Sequence, residues 1–443
     1  MLFAENGKAP GHSMPMPAGG DAGDINRIVE AGVQHLDVNT HPSIVASPAA
    51  LLPRNGGGRP LMRMLKDCIS NVNFGILDLE EGGSLLQFWM PPTEDPDNET
   101  LVTRGMPFML GPCGDNLAEF RGVSCGLTLS GSLDDLSPGM VGRVYLKGRA
   151  EFTPNVHLFD SVDYLRAPDA MRLGVKACVV LPVFSGPRVP GEDRSPDAVM
   201  EIVFAAEAVN LCSILTEASR ALAFAGLATC SLISQIPREQ LGMTGQDIGL
   251  EKIAQLLRVV SSKHTVPLGQ VWMACDMDDL AVEDPETGVL QSSAHMPAFA
   301  QAGMEDLRLI TCEQPLHFGQ GGAGLAAKSM GAEWVANVQQ LAFVEYPLLH
   351  CAKVLHLHGV LDITLKPSGA AESDPFFVAE FFLPPGMKDI NQQKHFLEPL
   401  AMTLRDTCKE LGLACPGRAG EGGDSVAAAL KAAAEGGGNL GDE

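Results

Sequence analysis

The text of this chain is written twice, and that limits what it can fold into. Gln87-Phe88-Trp89-Met90 returns as Gln270-Val271-Trp272-Met273. A longer string, Phe152, Asn155-Val156, Tyr164, Ala170 and Leu173, returns as Trp334, Asn337-Val338, Tyr346, Ala352 and Leu355. Trp89 and Trp272 lie 183 residues apart, while the Asn-Val pairs, Gly142 and Gly324, and Tyr164 and Tyr346 each lie 182 apart. A period of that length is a duplicated domain, since solenoid repeats run about 20–50 residues. Each copy is long enough to bury its own core. The chain is expected to divide into an unstructured tail over 1–23, a first domain over 24–225, a linker over 226–243, a second domain over 244–415 and a further unstructured linker over 416–443.

Within the first copy, Leu61, Leu65, Cys68, Ile69 and Val72 predict a helix, preceded by another from Asp24 with Ile25, Ile28 and Val29 on one face. Residues 84–90, 100–103 and 123–129 read as strands between Pro/Asp/Gly turns. Residues 176–184 and 198–204 read as apolar strands split by the turn-rich insertion SGPRVPGEDRSPD. In the second copy, Leu250, Ile253, Leu256, Leu257 and Val260 predict a helix with Thr244 and Asp247 placed to cap it. Strands follow over 358–365 and 376–383, then a helix over 391–411 in which Pro399 makes a kink or marks the first turn. SVAAALKAAA, in the Gly- and Ala-rich end, has the composition of a short helix. The order is helix, strands, a long excursion with short helices, two more strands, helix. That is an α+β class, an antiparallel sheet flanked by helices, the plan of GAF and PAS sensor domains used in tandem. The excursion lays loops over one sheet face, where such domains hold small ligands.

Composition removes several functions. With 54 Asp and Glu against 31 Lys and Arg, the surface repels a phosphate backbone, which argues against direct DNA binding by this chain. The 11 cysteines are scattered with no Cys-x-x-Cys pair, the usage of reduced thiols in an intracellular protein. No run approaches 18 apolar residues and the first residues lack an apolar signal core, so a soluble, non-secreted chain without a membrane partner is expected. No Ser-His-Asp or metal-binding constellation stands out, so an enzyme is not expected and no cofactor is called for. His356 and His358 on one strand face would make half a metal site without a third ligand.

More specific text narrows the reading. LLQFWMPP, LVTRGMPFML, EFRGVS, GMVGRVYLKGRAEFTPNVHLFDSVDYLRAPDAMRLGV, LPVF and AEAVNLCS, then VPLGQVWMA, FGQGGAGLA, EYPLLHCAKVLHL and EFFLPPG, cover roughly residues 60–220 and 245–413 in order. This text resembles the amino-terminal half of NIN-like proteins, nitrate-responsive transcription factors that also carry RWP-RK and PB1 domains. No RWP-RK or PB1-like segment is present in this chain, so DNA contact is expected only through residues outside it. The resemblance implies a sensory region of two GAF-like domains that controls nitrate assimilation genes. It also implies nuclear localisation with shuttling to the cytoplasm, and homodimers or hetero-oligomers with other transcription regulators. The alternative is a dimerisation scaffold that regulates without binding nitrate, using the helix faces at 250–260 and 391–411.

The resemblance places the receptor in the second copy and carries Leu316 and the Tyr346 of Tyr-Pro-Leu onto its pocket. Gln314 stands where the family has His, and no tryptophan lies between Trp272 and Trp334. The residues support an anion site in their own right. Gly319-Gln320-Gly321-Gly322-Ala323-Gly324 precedes the helix-compatible LAAKSM, and amides converging at a helix start favour negative charge. Leu316, Phe318 and Leu325 would line an apolar pocket for a small, planar, weakly hydrated anion. Gln314, His317, Tyr346, His350 and the amides from Gly319 onward would supply donors. A second reading stays open, in which the glycines only permit a tight turn and Tyr346 is a core tyrosine. In the first copy Arg143 follows the equivalent turn, able to hold an oxyanion or to serve a structural ion pair. Arg121 three residues before Ser124 marks Ser124 as a phosphorylation candidate, on a kinase geometry the family uses. The alternative is a buried serine on a sheet.

Overall fold

In the computed structural model the described residues are 61–73, 75, 83–92, 100–111, 115–131, 138–186, 194–206, 210–229, 246–275, 288–292, 296–370, 376–416 and 425–436. All lie in one compact unit, Val45–Glu443. The expected tail over 1–23, the helix from Asp24, most of the linker over 226–243 and most of the 185–197 insertion lie outside them.

The first copy runs α1 (Leu61–Ser70), β1 (Ser84–Trp89), β2 (Thr100–Val102), β3 (Phe108–Leu110), α2 (Asp115–Cys125), β4 (Thr128–Ser130), α3 (Gly139–Lys147), β5 (Glu151–Thr153), α4 (Ala167–Leu173), β6 (Ala177–Val183), β7 (Ala198–Phe204) and α5 (Leu211–Phe224). The second runs α6 (Gln246–Lys263), β8 (Leu268–Cys275), β9 (Val289–Gln291), β10 (Ala298–Ala300), α7 (Glu305–Glu313), β11 (Leu316–His317), α8 (Gly321–Ser329), β12 (Ala332–Val335), α9 (Leu349–Val354), β13 (Val360–Pro367), β14 (Phe377–Phe382), α10 (Ile390–Leu411), β15 (Leu413–Ala414) and α11 (Ser425–Gly436). The fold class is α+β. Both sheets are antiparallel, ordered β3-β1-β7-β6-β5 and β11-β9-β8-β14-β13-β12, with β10 and β15 added to β8 and β13. The equivalent cores β1-β7-β6-β5 and β8-β14-β13-β12 show that the sequence repeat is a repeat of topology.

The repeated Asn-Val pair has a local job. Asn155 and Asn337 accept from the amides of His157 and Gln339, capping the 3-10 turns Val156–Leu158 and Val338–Gln340. The amides of Val156 and Val338 donate to the carbonyls of Lys176 and His358, tying each turn to the strand entry behind it. These two bonds need Asn and a small apolar residue at fixed places, which explains the conserved spacing between copies.

One expectation from the sequence is overturned, that of a strand over 123–129, and two others, Pro399 and the short helix at SVAAALKAAA, take a definite place. Residues 123–129 are not a strand: α2 continues to Cys125, with Leu117, Phe120, Arg121 and Ser124 buried at helical spacing, and β4 begins only at Thr128. Pro399 sits inside α10, where Leu397, Leu400, Leu404 and Cys408 are buried, so packing of that stripe outweighs the lost backbone bond. The expected unstructured stretch 416–443 contains α11, whose Val426, Ala429, Leu430 and Ala433 pack with Trp334, Leu361 and α10.

The copies also share a core. One apolar cluster joins the helix-covered side of the first sheet (Leu86, Phe88, Val179, Met200) to the opposite side of the second (Leu268, Trp272, Val360, Val378). The other face of the first sheet, roofed by α2, α3 and α4, builds its own cluster around Trp89, Phe120 and Tyr164.

Candidate functional site

The repeated Gln-x-Trp explains itself at the centre of each sheet. Residues two apart on a strand face the same way, so Gln87 and Trp89 both reach Glu201 on the neighbouring β7. Gln87 Nε2 and Trp89 Nε1 donate to Glu201 Oε2 at 2.7 and 2.8 Å. In the second copy Gln270 Nε2 and Trp272 Nε1 donate to Glu380 Oε2 at 2.5 and 2.9 Å. Gln87 and Glu201, like Gln270 and Glu380, are direct cross-strand partners. A helix then clamps each glutamine. Arg121 Nη1 donates to Gln87 Oε1 at 2.9 Å, and Arg308 Nη1 donates to Gln270 Oε1 at 3.3 Å. Three residues on, Ser124 accepts from Gln87 at 3.2 Å while Thr311 donates to Gln270 at 2.9 Å.

Ser124 is therefore the first copy's half of a second, less visible repeat, Arg-x-x-Ser/Thr on α2 and α7. This corrects its reading as a phosphorylation site. Its side chain is fully buried, donates to the Phe120 carbonyl at 3.0 Å and accepts from Arg166 at 2.8 Å, so no kinase reaches it in the fold. Arg143 is likewise structural, with its guanidinium forked onto Glu151 at 2.9–3.1 Å.

Beyond these common parts the two centres diverge. In the first, the Arg166 guanidinium enters from the start of α4, ion-pairs with Glu201, and lies 5.0–5.1 Å from the ring centres of Trp89, Phe120 and Tyr164. Burial alone would raise the Glu201 carboxyl, but Arg166, Trp89 and Gln87 hold it below its ordinary value. In the second copy the matching position, two residues after the repeated tyrosine, is Leu348, which is fully buried. Where Val180 faces Glu201, Asp362 faces Glu380. The second centre thus lacks a counterpart of Arg166, keeps Arg308 on its glutamine, and gains an acid. Burial pushes Glu380 up to about 7 despite its two donors and Arg308. Burial and the neighbouring Glu380 and Glu333 raise Asp362 well above the carboxylate range.

Asp362 is fully buried, and neither of its carboxyl oxygens has a hydrogen-bond partner among the described residues. Tyr346 hydroxyl is in the same state. Both meet the start of α8. A Cβ on Gly321 would lie 2.8 Å from Tyr346 Cδ2, and one on Gly322 would fall on Asp362 Oδ2, so the glycines admit these two side chains against the helix backbone. Tyr164 hydroxyl also has no hydrogen-bond partner in range among the described residues, facing only the Cys178 thiol, but its ring lies beside a guanidinium, where that of Tyr346 is influenced by Glu380 and Asp362.

The other candidates scatter. Leu316 is buried on β11 beside Leu290, and Phe318 packs 5.9 Å from Phe376. The expected nest of free amides is largely closed: Gly319 donates to the Gly324 carbonyl, Gln320 to His317, Gly321 to Glu345 and Gly324 to Gln320. Gly322 and Ala323 carry the first-turn amides that no backbone carbonyl among the described residues takes up. Gln314 turns away and donates to the Ala150 carbonyl at 2.8 Å. His350 Nδ1 lies 3.2 Å from Thr153 Oγ1, its ring packed on Phe159 and Phe343, and burial drives it down to about 3. His317 is half-buried and lowered by burial, Lys147 and Arg149. Gln314 and His350 therefore belong to the seam between copies, where the first copy supplies their partners, and His317 lies near the cations Lys147 and Arg149 of that copy. His358 Nδ1 lies 2.9 Å from the His356 carbonyl, so that pair is held locally.

Sequence reasoning missed Glu201, Glu380 and Asp362. The available signal was a lone acid inside an otherwise apolar strand: AVMEIVF, FVAEFF and VLDITL.

A polar centre on one sheet face, roofed by short helices of the inter-strand excursion and repeated in tandem, is the architecture of the GAF fold. The model of the NLP protein GAF domain matches residues 242–412. NLP6 of Arabidopsis thaliana is 28% identical over 346 residues, covering 72% of this chain and 39% of that protein. NLP3 of Oryza sativa subsp. japonica is 28% identical over 342 residues, covering 74% and 36%. Among solved structures, the GAF domain region of a putative membrane protein from Geobacter sulfurreducens PCA is similar over 37% of this chain and 97% of that one, at 16% identity and a TM-score of 0.24. The chain is a homologue of the NIN-like (NLP) proteins and carries their GAF domain in its second half. It spans 34–39% of the length of the curated relatives it matches.

Proposed function

We propose that this chain is the sensory region of an NLP transcription factor that controls nitrate assimilation genes, and that nitrate binds on the roofed sheet face of its second GAF domain. The observation that supports this is the buried Tyr346 hydroxyl, unpartnered among the described residues, on a ring packed against Gly321 at the start of α8, in the copy where Leu348 replaces the guanidinium that occupies the other centre. A phenol hydroxyl and the first-turn amides of Gly322 and Ala323 suit a weakly hydrated anion. Nitrate would bias the placement of α8 and α9, and through Phe343 and His350 the seam with the first copy. DNA contact, nuclear residence and hetero-oligomer partners belong in this proposal to the whole transcription factor. No catalytic role is assigned to the chain.

The shared core favours a second reading, a regulatory scaffold in which the seam around Thr153, Phe159, Phe343 and His350 fixes two domains without a ligand. Thermal unfolding with nitrate against chloride, sulfate and nitrite separates the two. At about 100 times the dissociation constant nitrate should add about 2.7 kcal/mol. The shift should drop to about 1.4 kcal/mol or less in Tyr346→Phe and persist in full in Gln314→Ala. No nitrate-selective shift would leave the scaffold.

A further inference from the structure

Among the described residues, Asp362 faces Glu380 across the second centre with no hydrogen-bond donor on either carboxyl oxygen. Its cross-strand partner Glu380 receives Gln270 and Trp272. Side chains directly opposite on antiparallel strands have Cβ atoms about 4.5–5.5 Å apart, too close for two buried carboxylates to be charged together. Glu333 on β12 adds a further negative neighbour, while Tyr346 and Cys351, around the start of α9, bring only neutral hydrogen donors. On α7, Arg308 is directed at Gln270, Ser292 and the Met296 carbonyl. On α8 the facing residues are Gly322 and Ala323, with Lys328 a turn and more away. Of the two carboxyls, Glu380 has donors for a negative charge and Asp362 has none. The proton therefore resides on Asp362.

A protonated carboxyl is a hydrogen-bond donor without charge. Asp362 then stops being an obstacle to an anion and becomes part of its site, paired with the phenol that meets the same helix start. We infer that Asp362 binds nitrate as a neutral carboxylic acid, donating one hydrogen bond beside that of Tyr346. Two neutral donors can satisfy nitrate oxygens without the desolvation cost of a buried lysine or arginine. Nitrate is too weak a base to take the proton, so no proton is transferred and binding leaves Asp362 as it was. The inference rests on nitrate being the ligand of the second domain.

The test is calorimetric titration of the whole chain with sodium nitrate from pH 5.5 to 9.5, in wild type, Asp362→Asn, Asp362→Leu and Glu380→Gln. Wild-type affinity should be flat at low pH and fall about tenfold per pH unit once Asp362 ionises. Asp362→Asn keeps a donor, so it should bind within a few-fold of wild type at pH 6 and lose the alkaline fall. Asp362→Leu should bind at least tenfold more weakly at pH 6, with circular dichroism verifying its fold. Glu380→Gln should keep an alkaline limb. An Asp362→Asn profile that falls like wild type overturns the inference while leaving nitrate as ligand. Stabilisation by methylammonium chloride in place of nitrate overturns it too, because the acids then hold a cation. Absence of nitrate binding in wild type at every pH defeats the functional reading and this inference with it.

Discussion

The two copies solve the same problem, a glutamate buried in mid-sheet, in opposite ways. The first supplies a charge: Arg166 meets Glu201, three aromatic rings surround the guanidinium, and Ser124 joins the pair. The second supplies a proton: Glu380 keeps its two neutral donors, the arginine position is Leu348, and Asp362 is set opposite. A centre with its own ion pair is balanced in charge, even with Tyr164 hydroxyl and Arg121 Nε lacking partners among the described residues. One whose buried donors and acceptors lack partners invites a ligand, because each unsatisfied group costs about 1–3 kcal/mol. Under the function proposed above, the duplication separates a structural copy from a binding copy.

Exchanging the two solutions should have the largest effect. Arg166→Leu gives the first centre the second's residue and strands Glu201 in the core, which should cost about 3–5 kcal/mol by urea unfolding at neutral pH. A loss near zero would mean that the ion pair does not define the first centre. In the reverse direction, Leu348→Arg should cost about 1–3 kcal/mol from overpacking and should abolish the nitrate response by seating a guanidinium between Glu380 and Asp362.

Next in size is a pair of acid-to-amide changes with opposite signs. The folded-state pKa of Glu201 is depressed, so its stabilisation is present above the unfolded carboxylate pKa and lost as pH falls through the folded one. Glu201→Gln should therefore destabilise at pH 7.5, by about 2–3 kcal/mol. The folded-state pKa of Asp362 is raised, so wild-type stability declines as pH rises from the unfolded value toward the folded one. Asp362→Asn removes that decline and should be the more stable protein at pH 7.5, by about 1–3 kcal/mol, with the gain gone near pH 4. Equal signs in the two urea titrations would break the contrast between charge and proton.

Much of this frame was legible in the sequence, for local reasons. Gln-x-Trp shows two side chains on one strand face, and the Val-rich runs around 176–184 and 198–204 show strands buried on both sides. What these residues contact was not legible, because β1 pairs with β7 across 114 residues between Gln87 and Glu201. The lone acids in apolar strands therefore looked like exceptions to a pattern. Ser124 was misplaced because Val123 to Leu129 has apolar residues that fit a strand, while the helical spacing of Leu117, Phe120 and Ser124 starts earlier. Gln314 and His350 look like pocket residues within the second copy, yet their partners Ala150 and Thr153 lie 164 and 197 residues away in the first. Tandem packing of the copies decided their role, and no single-copy pattern reports it.

Helix glycines give a smaller test. Gly322→Ala in α8 would place a methyl on Asp362 and should cost about 1–3 kcal/mol while disabling the nitrate response. Gly122→Ala in α2 meets nothing within 4 Å and should stabilise the chain by about 0.5–1 kcal/mol without touching the response. A nitrate response surviving Gly322→Ala would move the site away from α8.

The smallest change in stability belongs to the repeated tyrosines, and it carries the sharpest comparison. Among the described residues neither hydroxyl has a hydrogen-bond partner in range, Tyr164 facing only the Cys178 thiol, so removing either oxygen should leave unfolding free energy within about 1 kcal/mol of wild type. Tyr164→Phe takes a hydroxyl from a centre already neutralised by Arg166, and its nitrate titration should overlay wild type. Tyr346→Phe takes one of the two donors that face α8, and nitrate affinity should fall by about tenfold or more at unchanged stability. Because the two variants are the same chemical deletion at equivalent places, differential scanning and titration of the pair cancel general effects of the mutation. If Tyr164→Phe weakens nitrate as much as Tyr346→Phe, the response comes from the seam that both copies share, since a site confined to the second centre has no route to the first hydroxyl.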